Sequence, residues 1–266
     1  MLKYSVLGSG SSGNAYMLET ARDALIIDNG YSVKEVLRRI GVCGHDPAKL
    51  RAILLTHEHH DHISGVGALG RRLGIPVFLP AGIPSNRIQL NRRPEVLEME
   101  QGVAVQIGEF RVTPWDTSHD TPVSCGFTLQ TGDARIVVLT DSGETDATMS
   151  LQAEDADIIF LEANYDTGML LAGTYPRYLK QRIDSAGGHL SNASAFAFLS
   201  SLCARTGRRV YLCHLSRENN SPAVVEQFFA PLQSDDLRIT VCPHGESVTD
   251  CLEGEDPSFT KRFDTG

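Results

Sequence analysis

Residues 57–62 constrain this chain more than any other segment does. They read His-Glu-His-His-Asp-His, and four side chains can bind a metal ion in a His-x-His-x-Asp-His pattern: His57, His59, Asp61 and His62. An apolar run at 52–55 precedes them and predicts a buried strand, and a helix-compatible stretch at 63–73 follows. The cluster is therefore predicted at a strand-to-helix turn, where imidazole and carboxylate groups suit zinc, manganese or iron.

This hexapeptide resembles the signature of the metallo-β-lactamase superfamily. Members that bind two metals need three further ligands, a His, an Asp and a His, each at the end of a strand. The chain has a candidate for each, in that order: His119, Asp141 and His214. The β-branched run before Asp141 and the apolar run before His214 each predict a strand that ends at the candidate.

The resemblance implies two divalent ions per chain, with Asp141 bridging them and three other side chains holding each one. The first set is His57, His59 and His119, and the second set is Asp61, His62 and His214. Zinc and manganese are the expected metals, with iron as a third option. Two such ions activate a water or hydroxide between them and stabilise the oxygens of a displacement, so the predicted site is hydrolytic.

A carboxylate and a histidine outside the metal set narrow the resemblance. Glu162 ends a predicted strand, and His189 lies in a Gly-Gly-His-Leu-Ser-Asn segment before a predicted helix. In phosphodiesterases of the superfamily, a Glu at this place pairs with a His that assists proton transfer to the leaving oxygen. The resemblance thus implies that His189 is a general acid, with Asp61 and Glu162 as the other predicted catalytic residues.

Three segments together resemble the bacterial WalJ/YycJ group: the Gly-Ser-rich run at 8–14, the segment around His189, and His-Leu-Ser-Arg-Glu-Asn-Asn at 214–220. This resemblance extends to about residue 242 and implies a 5′-to-3′ DNA exonuclease whose substrate is a phosphodiester at a nucleic-acid end. Hydrolysis of cyclic or other small phosphodiesters, and RNA processing by the same chemistry, are the alternatives. Thioester or lactam hydrolysis would leave Glu162 and His189 unexplained, and a non-catalytic binding module would not need seven intact ligands.

Five polar residues are predicted to contact the substrate. The run at 8–14 favours a tight hairpin turn over a Walker phosphate loop, because no Lys-Ser or Lys-Thr closes it. By the resemblance this turn lies at the rim of the metal cleft, and the segments at 187–192 and 214–220 supply the other contacts. The predicted contacts are Ser11, Ser12, Asn14, Ser191 and Arg217. Three histidines match no ligand position and are expected at the surface or behind the ligands: His45, His60 and His244.

The charge balance limits the possible partners. A formal net charge of −9 argues against broad electrostatic coating of nucleic acid. Two divalent ions opposed by two aspartates would still leave the pocket at about +2, which favours an anionic substrate. No apolar run approaches the ~20 residues of a membrane span, no signal peptide is recognisable at the N-terminus, and the six cysteines show no Cys-x-x-Cys spacing. We therefore expect a cytoplasmic protein without membrane contact, and the sequence identifies no protein partner.

Strands in hairpin-like series with helices between them fit the fold that the resemblance implies, an α/β (α+β) four-layer αββα sandwich in a single domain. The hydrolase domain is expected at 1–252 and a polar tail at 253–266. Strands are predicted near 3–8, 15–20, 24–28, 52–55, 76–79, 103–107, 110–114, 124–130, 134–139, 158–162, 209–213 and 238–241. Helical periodicity predicts helices at 33–40, 63–73, 175–185, 193–206 and 222–232.

Overall fold

Two seven-stranded β-sheets form the centre of the fold. The structure is a computed structural model that describes residues 1–84, 86, 94–132 and 134–252. The strands of the first sheet are β1 (Leu2–Gly8), β2 (Ala15–Glu19), β3 (Ala24–Ile27), β4 (Leu50–Leu54), β5 (Val77–Pro80), β6 (Val96–Met99) and β14 (Val248–Leu252). Their order across the sheet is β14-β1-β2-β3-β4-β5-β6.

The second sheet repeats the plan of the first. Its strands are β7 (Val105–Ile107), β8 (Phe110–Asp116), β9 (Cys125–Thr131), β10 (Ala134–Leu139), β11 (Ile158–Glu162), β12 (Arg208–Cys213) and β13 (Leu237–Val241), in the order β13-β12-β11-β10-β9-β8-β7. In each sheet three antiparallel pairs adjoin three parallel pairs. Parallel strands end at the same edge, so each sheet gathers several loops at one edge.

Helices cover the outer face of each sheet. The helices of the first half are α1 (Val33–Val42), α2 (His60–Ile63) and α3 (Val66–Leu73). Those of the second half are α4 (Ala147–Ala153), α5 (Thr167–Ala172), α6 (Arg177–Ile183), α7 (Asn192–Ser201) and α8 (Pro222–Phe229). Several begin at a Ser or Asp whose side chain accepts from a backbone N–H of the first turn, which is the usual N-cap arrangement: Ser32, Asp146, Asp166, Ser191 and Ser221.

The buried apolar residues form three layers. The middle layer lies between the two sheets and contains side chains from both, among them Tyr4, Phe160 and Tyr211, whose rings meet edge to face or tilted. One outer layer packs α1 and α3 on the first sheet, and the other packs α4, α7 and α8 on the second. The predicted αββα sandwich in a single domain is confirmed by this arrangement.

The structure corrects the predicted elements in several places. The helix predicted at 63–73 is broken at Gly65, because its N–H donates to the Asn29 carbonyl at 2.9 Å and not to a carbonyl of the preceding turn. The helix predicted at 193–206 ends at Ser201, where Leu202 becomes extended. Among the described strands and α-helices, four were not predicted: β6, β14, α4 and α5. The domain limits stay a prediction, and the tail at 253–266 lies outside the described residues.

Within the described part of the chain, no helix combines the length and the apolar content that crossing a membrane requires.

Candidate metal centre

The seven predicted ligand side chains meet at one end of the sandwich. The first sheet supplies four of them from the segment after β4, and the second supplies the other three from segments after β8, β10 and β12. Four of the seven are buried: His57, His62, Asp141 and His214. The other three are partly exposed: His59, Asp61 and His119. Carboxyl ends of parallel strands are the usual place for ligands in such sheets.

The potential ligand atoms form compact groups that match the two predicted sets. In each group, one nitrogen or oxygen of every side chain lies within 4.8 Å of the others. One group is His57, His59 and His119, and another is Asp61, His62 and His214. A third group joins Asp141 to His57 and His62, so Asp141 lies between the two sets. Their function as ligands remains our prediction.

The hydrogen bonds behind His57 leave one of its ring nitrogens for a metal. Thr56 donates its hydroxyl proton to Asp28 (Oγ1–Oδ2, 2.8 Å), so the same hydroxyl oxygen accepts from Nδ1 of His57 at 3.0 Å. Nε2 of His57 is then unprotonated and buried, and no described residue gives it a hydrogen bond. Burial, reinforced by His62, lowers the pKa of His57 well below its ordinary value. A buried lone pair without a partner is costly, so this atom fits a bound cation.

Asp28 orients a second ligand from behind. Its Oδ2 accepts from Nδ1 of His62 at 2.7 Å. That bond turns Nε2 of His62 toward Asp141, 3.2 Å away, and toward Asp61, 3.5 Å away. A carboxylate that holds the outer nitrogen of a metal-binding histidine fixes both its tautomer and its ring orientation. The sequence analysis missed this role of Asp28.

Three residues of the centre have the left-handed backbone conformation that non-glycine residues rarely adopt. They are Asp28 (φ 58°), Asp141 (φ 55°) and His214 (φ 57°), and each follows closely on a buried strand. Such conformations cost on the order of 1–3 kcal/mol and concentrate at functional sites. The segment 24–30 is an apolar run followed by Asp-x-Gly, and 136–143 has the same pattern with Thr140 between the run and the Asp. This shared pattern is the signal that could have identified Asp28.

His59 and His119 turn one nitrogen each toward the same point. Nδ1 of His59 lies 3.1 Å from Nε2 of His119. The outer nitrogen of His119 donates to the Gly188 carbonyl at 2.8 Å, and that of His59 lies 3.4 Å from Oδ1 of Asp120. Arg182 in turn pairs with Asp120. The Gly188 contact places the ring proton of His119 away from the centre, so its Nε2 is free to bind a cation beside Nδ1 of His59. Asp120 is a second residue that the sequence analysis missed.

Buried carboxylates give the centre an excess of negative charge. In the described ranges, the ion-pair partners of Asp28, Asp141 and Glu162 are all histidines. Burial alone would lower the pKa of His62, but Asp141 and Asp28 outweigh it and raise that pKa well above its ordinary value. In the same way Asp141 and other acids raise the pKa of His214 to about 10. Protons or metal ions must balance these carboxylates, so metal binding should release protons.

Glu162 and His189 form a hydrogen-bonded pair beside the ligands. Oε1 of Glu162 accepts from Nδ1 of His189 at 2.7 Å and from Nδ1 of His214 at 3.1 Å. Oε2 accepts from the backbone N–H groups of Ser142 and Leu190 at 3.1 and 3.2 Å. Burial would raise the pKa of Glu162, but its interactions with the two histidines lower it to about 2. Glu162 and His189 also form a group of potential ligand atoms with Asp141 and His214. Because four donors already occupy the oxygens of Glu162, we assign it a supporting role behind the centre.

The turn at 8–14 lies beside the centre, and only part of it faces solvent. β1 and β2 pair antiparallel on either side of it, as the hairpin prediction requires. Ser11 and Ser12 are exposed. Asn14 is fully buried, and its Nδ2 donates to Oδ2 of Asp61 at 3.1 Å. Asn14 was predicted to contact the substrate, but the structure places it behind a ligand because its amide is enclosed by the turn.

The two other predicted substrate contacts have different surroundings. Ser191 is buried, and its Oγ accepts from the N–H of Ser194 at 3.0 Å as the N-cap of α7. It therefore stabilises a helix start, and its contact with the substrate stays a prediction. Arg217 is exposed and lines a cavity together with Ser11 and His189.

Three further histidines were expected at the surface or behind the ligands. His60 is exposed, and His244 is partly exposed at the turn at 8–14. His45 is buried in a separate polar network, in which Nδ1 donates to Oε2 of Glu19 and Ser5 donates to Nε2, both at 2.7 Å. Its partners are 26 and 40 residues away in the chain, so no local pattern indicated this contact.

Comparison with known protein families agrees with this geometry. The model of the beta-lactamase superfamily domain matches residues 25–215, which include all seven predicted ligands. The chain belongs to the metallo-β-lactamase superfamily. It is accordingly a metal-dependent hydrolase.

Two curated relatives and one solved structure extend the comparison. The chain is 38% identical over 224 residues to exodeoxyribonuclease WalJ of Streptococcus pneumoniae, covering 82% of this chain and 83% of WalJ. It is 29% identical over 230 residues to exodeoxyribonuclease YycJ of Bacillus anthracis, covering 82% and 84%. The metallo-beta-lactamase fold protein YhfI from Bacillus subtilis superposes with a TM-score of 0.69 at 21% identity, covering 93% of this chain and 99% of YhfI. At that identity the superposition shows the fold alone.

Proposed function

We propose that this protein is a nuclease that removes nucleotides from DNA ends in the 5′-to-3′ direction, with two divalent ions at the candidate centre. The names of the relatives WalJ and YycJ support an exonuclease acting on DNA. The two groups of potential ligands, with Asp141 between them, support a site for two ions. His57, His59 and His119 would hold one ion, and Asp61, His62 and His214 the other.

The observation that carries the proposal is the Glu162–His189 pair beside the ligand groups. A phosphodiester leaves an alkoxide oxygen that needs a proton, whereas the thiolate that a thioester leaves needs little protonation. Nδ1 of His189 is held by Glu162 at 2.7 Å, so its proton stays there and the ring is fixed. Nε2 is then the atom that can deliver a proton. His189 lines the cavity that Ser11 and Arg217 also line, so a substrate in that cavity lies within its reach.

When bound, the ions would supply an activated water and charge stabilisation at phosphorus. The residues of the chain would supply the proton for the leaving group and hold the metal-binding rings in place. Glu162 orients and charges His189, whose Nε2–H protonates the leaving oxygen. Asp28 holds the outer nitrogen of His62 and so keeps its inner nitrogen available to metal, while Asp120 lies 3.4 Å from the outer nitrogen of His59.

Hydrolysis of small phosphodiesters is the second candidate function. The cavity beside His189 has a volume of about 320 Å³, which is near the lower end for ligand sites. The net charge of −9 also disfavours long non-specific contacts with a polyanion. A small cyclic phosphodiester would satisfy both observations and use the same chemistry.

A substrate panel with manganese or zinc separates these functions. The substrates are linear 5′-phosphorylated DNA, the same DNA labelled at its 3′ end, RNA of the same sequence, and 2′,3′-cyclic nucleotides. We expect stepwise release of nucleotides from the 5′ end of DNA. Hydrolysis of cyclic nucleotides with no action on DNA would establish the second candidate in place of the first.

Substitution of His189 tests the proton donor. His189→Ala should keep the metal content of the wild-type protein and lower the rate by roughly 10²–10⁴. His60→Ala is the matched control, since His60 is an exposed histidine of the same metal motif and no predicted ligand. A His189→Ala variant as fast as His60→Ala would remove the general acid from the proposal.

A further inference from the structure

A cavity opens directly beside the candidate metal centre. Its lining includes His189 and His214 together with Leu179, Arg182 and Ile183 of α6. Its volume of about 320 Å³ is enough for one small ligand but not for two stacked base pairs. Whatever occupies this cavity therefore lies next to the group that we propose as the proton donor.

The cavity is bordered by apolar side chains from α6 and from the residues just before it. Leu179 and Ile183 are four residues apart, which puts them on one side of α6, and Tyr175, two residues before the helix begins, lines the same cavity. Such a stripe usually packs against the core. Here all three side chains are only partly buried, and none of the residues of α6 is buried. The stripe lines the cavity instead, so a ligand would be needed to cover it.

The charged residues around the cavity leave one cation unpaired. Arg182 is engaged by Asp120. Arg217 is exposed and has no acidic partner within ion-pair distance in the described ranges. Glu218 also lines the cavity and is exposed. Arg217 is therefore the side chain that can take an anionic group of a ligand, with the hydroxyl of Ser11 also at the wall.

We infer that this cavity holds the terminal nucleotide of a single strand, with its base against Tyr175 and a phosphate at Arg217. The inference rests on the proposed function and specifies its substrate. An aromatic ring with apolar neighbours suits a base of any sequence, because every base has a flat face to stack. An unpaired guanidinium suits the backbone. Because a cavity of about 320 Å³ holds one small ligand, we expect a paired end to open by one nucleotide before it binds.

Binding of strands that lack one base tests this inference without turnover. Single strands with uncleavable phosphorothioate links are made intact, abasic at the terminal nucleotide, or abasic at the fourth. For the purified protein with its metal, the terminal abasic site should raise the Kd by about 5- to 150-fold, the usual effect of losing one stacked base. The abasic site at the fourth nucleotide should leave the Kd unchanged.

The variant Tyr175→Leu should bind the intact and terminal-abasic strands with equal affinity. Tyr178→Leu is the matched control and should discriminate as the wild-type protein does, because Tyr178 is 72% exposed on α6 and does not line the cavity. Arg217→Gln should reduce the dependence of log Kd on log salt by about one unit of slope, whereas Arg177→Gln should not. Wild-type protein that ignores the terminal base, or Tyr175→Leu that still discriminates, would overturn the inference.

Two further results separate this inference from the proposed function. Discrimination at the 3′ terminal base instead of the 5′ one would support the cavity and refute the 5′-to-3′ direction. A free nucleoside monophosphate that binds as tightly as the strand would refute the strand-end assignment, while digestion of DNA in the substrate panel would leave the nuclease function standing.

Discussion

Replacing Glu162 by Gln tests the pair on which the proposed chemistry depends. The amide has the shape of the carboxylate, but it offers one accepting oxygen where Glu162 offers two. Oε1 of Glu162 accepts from two imidazoles, and Oε2 accepts from two backbone N–H groups. In either orientation the NH₂ group of the introduced glutamine therefore faces two donors.

The size of the effect follows from those lost acceptors. Each buried donor without an acceptor costs about 1–3 kcal/mol, so the free energy of unfolding should fall by about 2–6 kcal/mol. That loss applies when the NH₂ group faces the backbone N–H groups of Ser142 and Leu190. When it faces His189 and His214, those rings can accept at Nδ1 and carry their protons on Nε2. That tautomer removes the metal-binding atom of His214, so metal content falls in place of stability. In both cases His189 loses its charged partner, and the rate should drop by about 10²–10⁴.

Urea denaturation, metal analysis and the hydrolysis rate are measured together on the purified variant. Glu144→Gln is the control, because Glu144 is an exposed carboxylate of a nearby loop. Glu162→Gln combined with His189→Ala should be no slower than His189→Ala alone at equal metal content, since Glu162 acts through His189. A double variant much slower than both single variants would refute this reasoning, as would a Glu162→Gln protein with wild-type stability, metal content and rate.

Three other substitutions probe the centre and the core. Asp141→Ala should abolish turnover and lower the metal content measured by atomic absorption, and a variant with both metals and full rate would contradict the bridging role. Asp28→Asn should weaken metal binding by about 10- to 100-fold in a titration, because the outer nitrogen of His62 loses its carboxylate while Asn tolerates the left-handed backbone; an unchanged isotherm would exclude that role. Burial lowers the pKa of His45 despite Glu19, so the unfolded chain takes up a proton that the folded one excludes. The free energy of unfolding should therefore decline as the pH falls below about 6.5. Urea denaturation at pH 8 and pH 5.5 should show a smaller decline for His45→Asn than for the wild-type protein. An equal decline in both proteins would show that His45 does not cause it.

The part of the site that could be predicted from the sequence is the part encoded by local pattern. The motif at 57–62 is contiguous, and the apolar runs before Asp141 and His214 show where strands end, so the ligands could be placed at one edge of the fold. The split of the helix predicted at 63–73 was not visible, because it depends on the hydrogen bond from Gly65 to the Asn29 carbonyl, 36 residues earlier in the chain. β14 was missed for a similar reason, since it pairs with β1 from the far end of the chain.

The supporting residues of the centre could not be predicted, because their roles arise from contacts between distant segments. Asn14 resembled a substrate contact in a polar turn, but the fold closes the turn over its amide. Asp28 reaches His62 across 34 residues, and Asp120 reaches His59 from the other sheet. A pattern within one segment shows which side chains can bind a metal, but it does not show which groups hold them in place.

Neither predicted ion could be held by one half of the sandwich alone. His57, His59, Asp61 and His62 come from the first sheet, while His119, Asp141 and His214 come from the second. During synthesis, a nascent chain would therefore remain catalytically silent until residue 214 had left the ribosome and the two halves had docked. Hydrolysis would therefore begin only after both sheets had packed together and completed the metal centre.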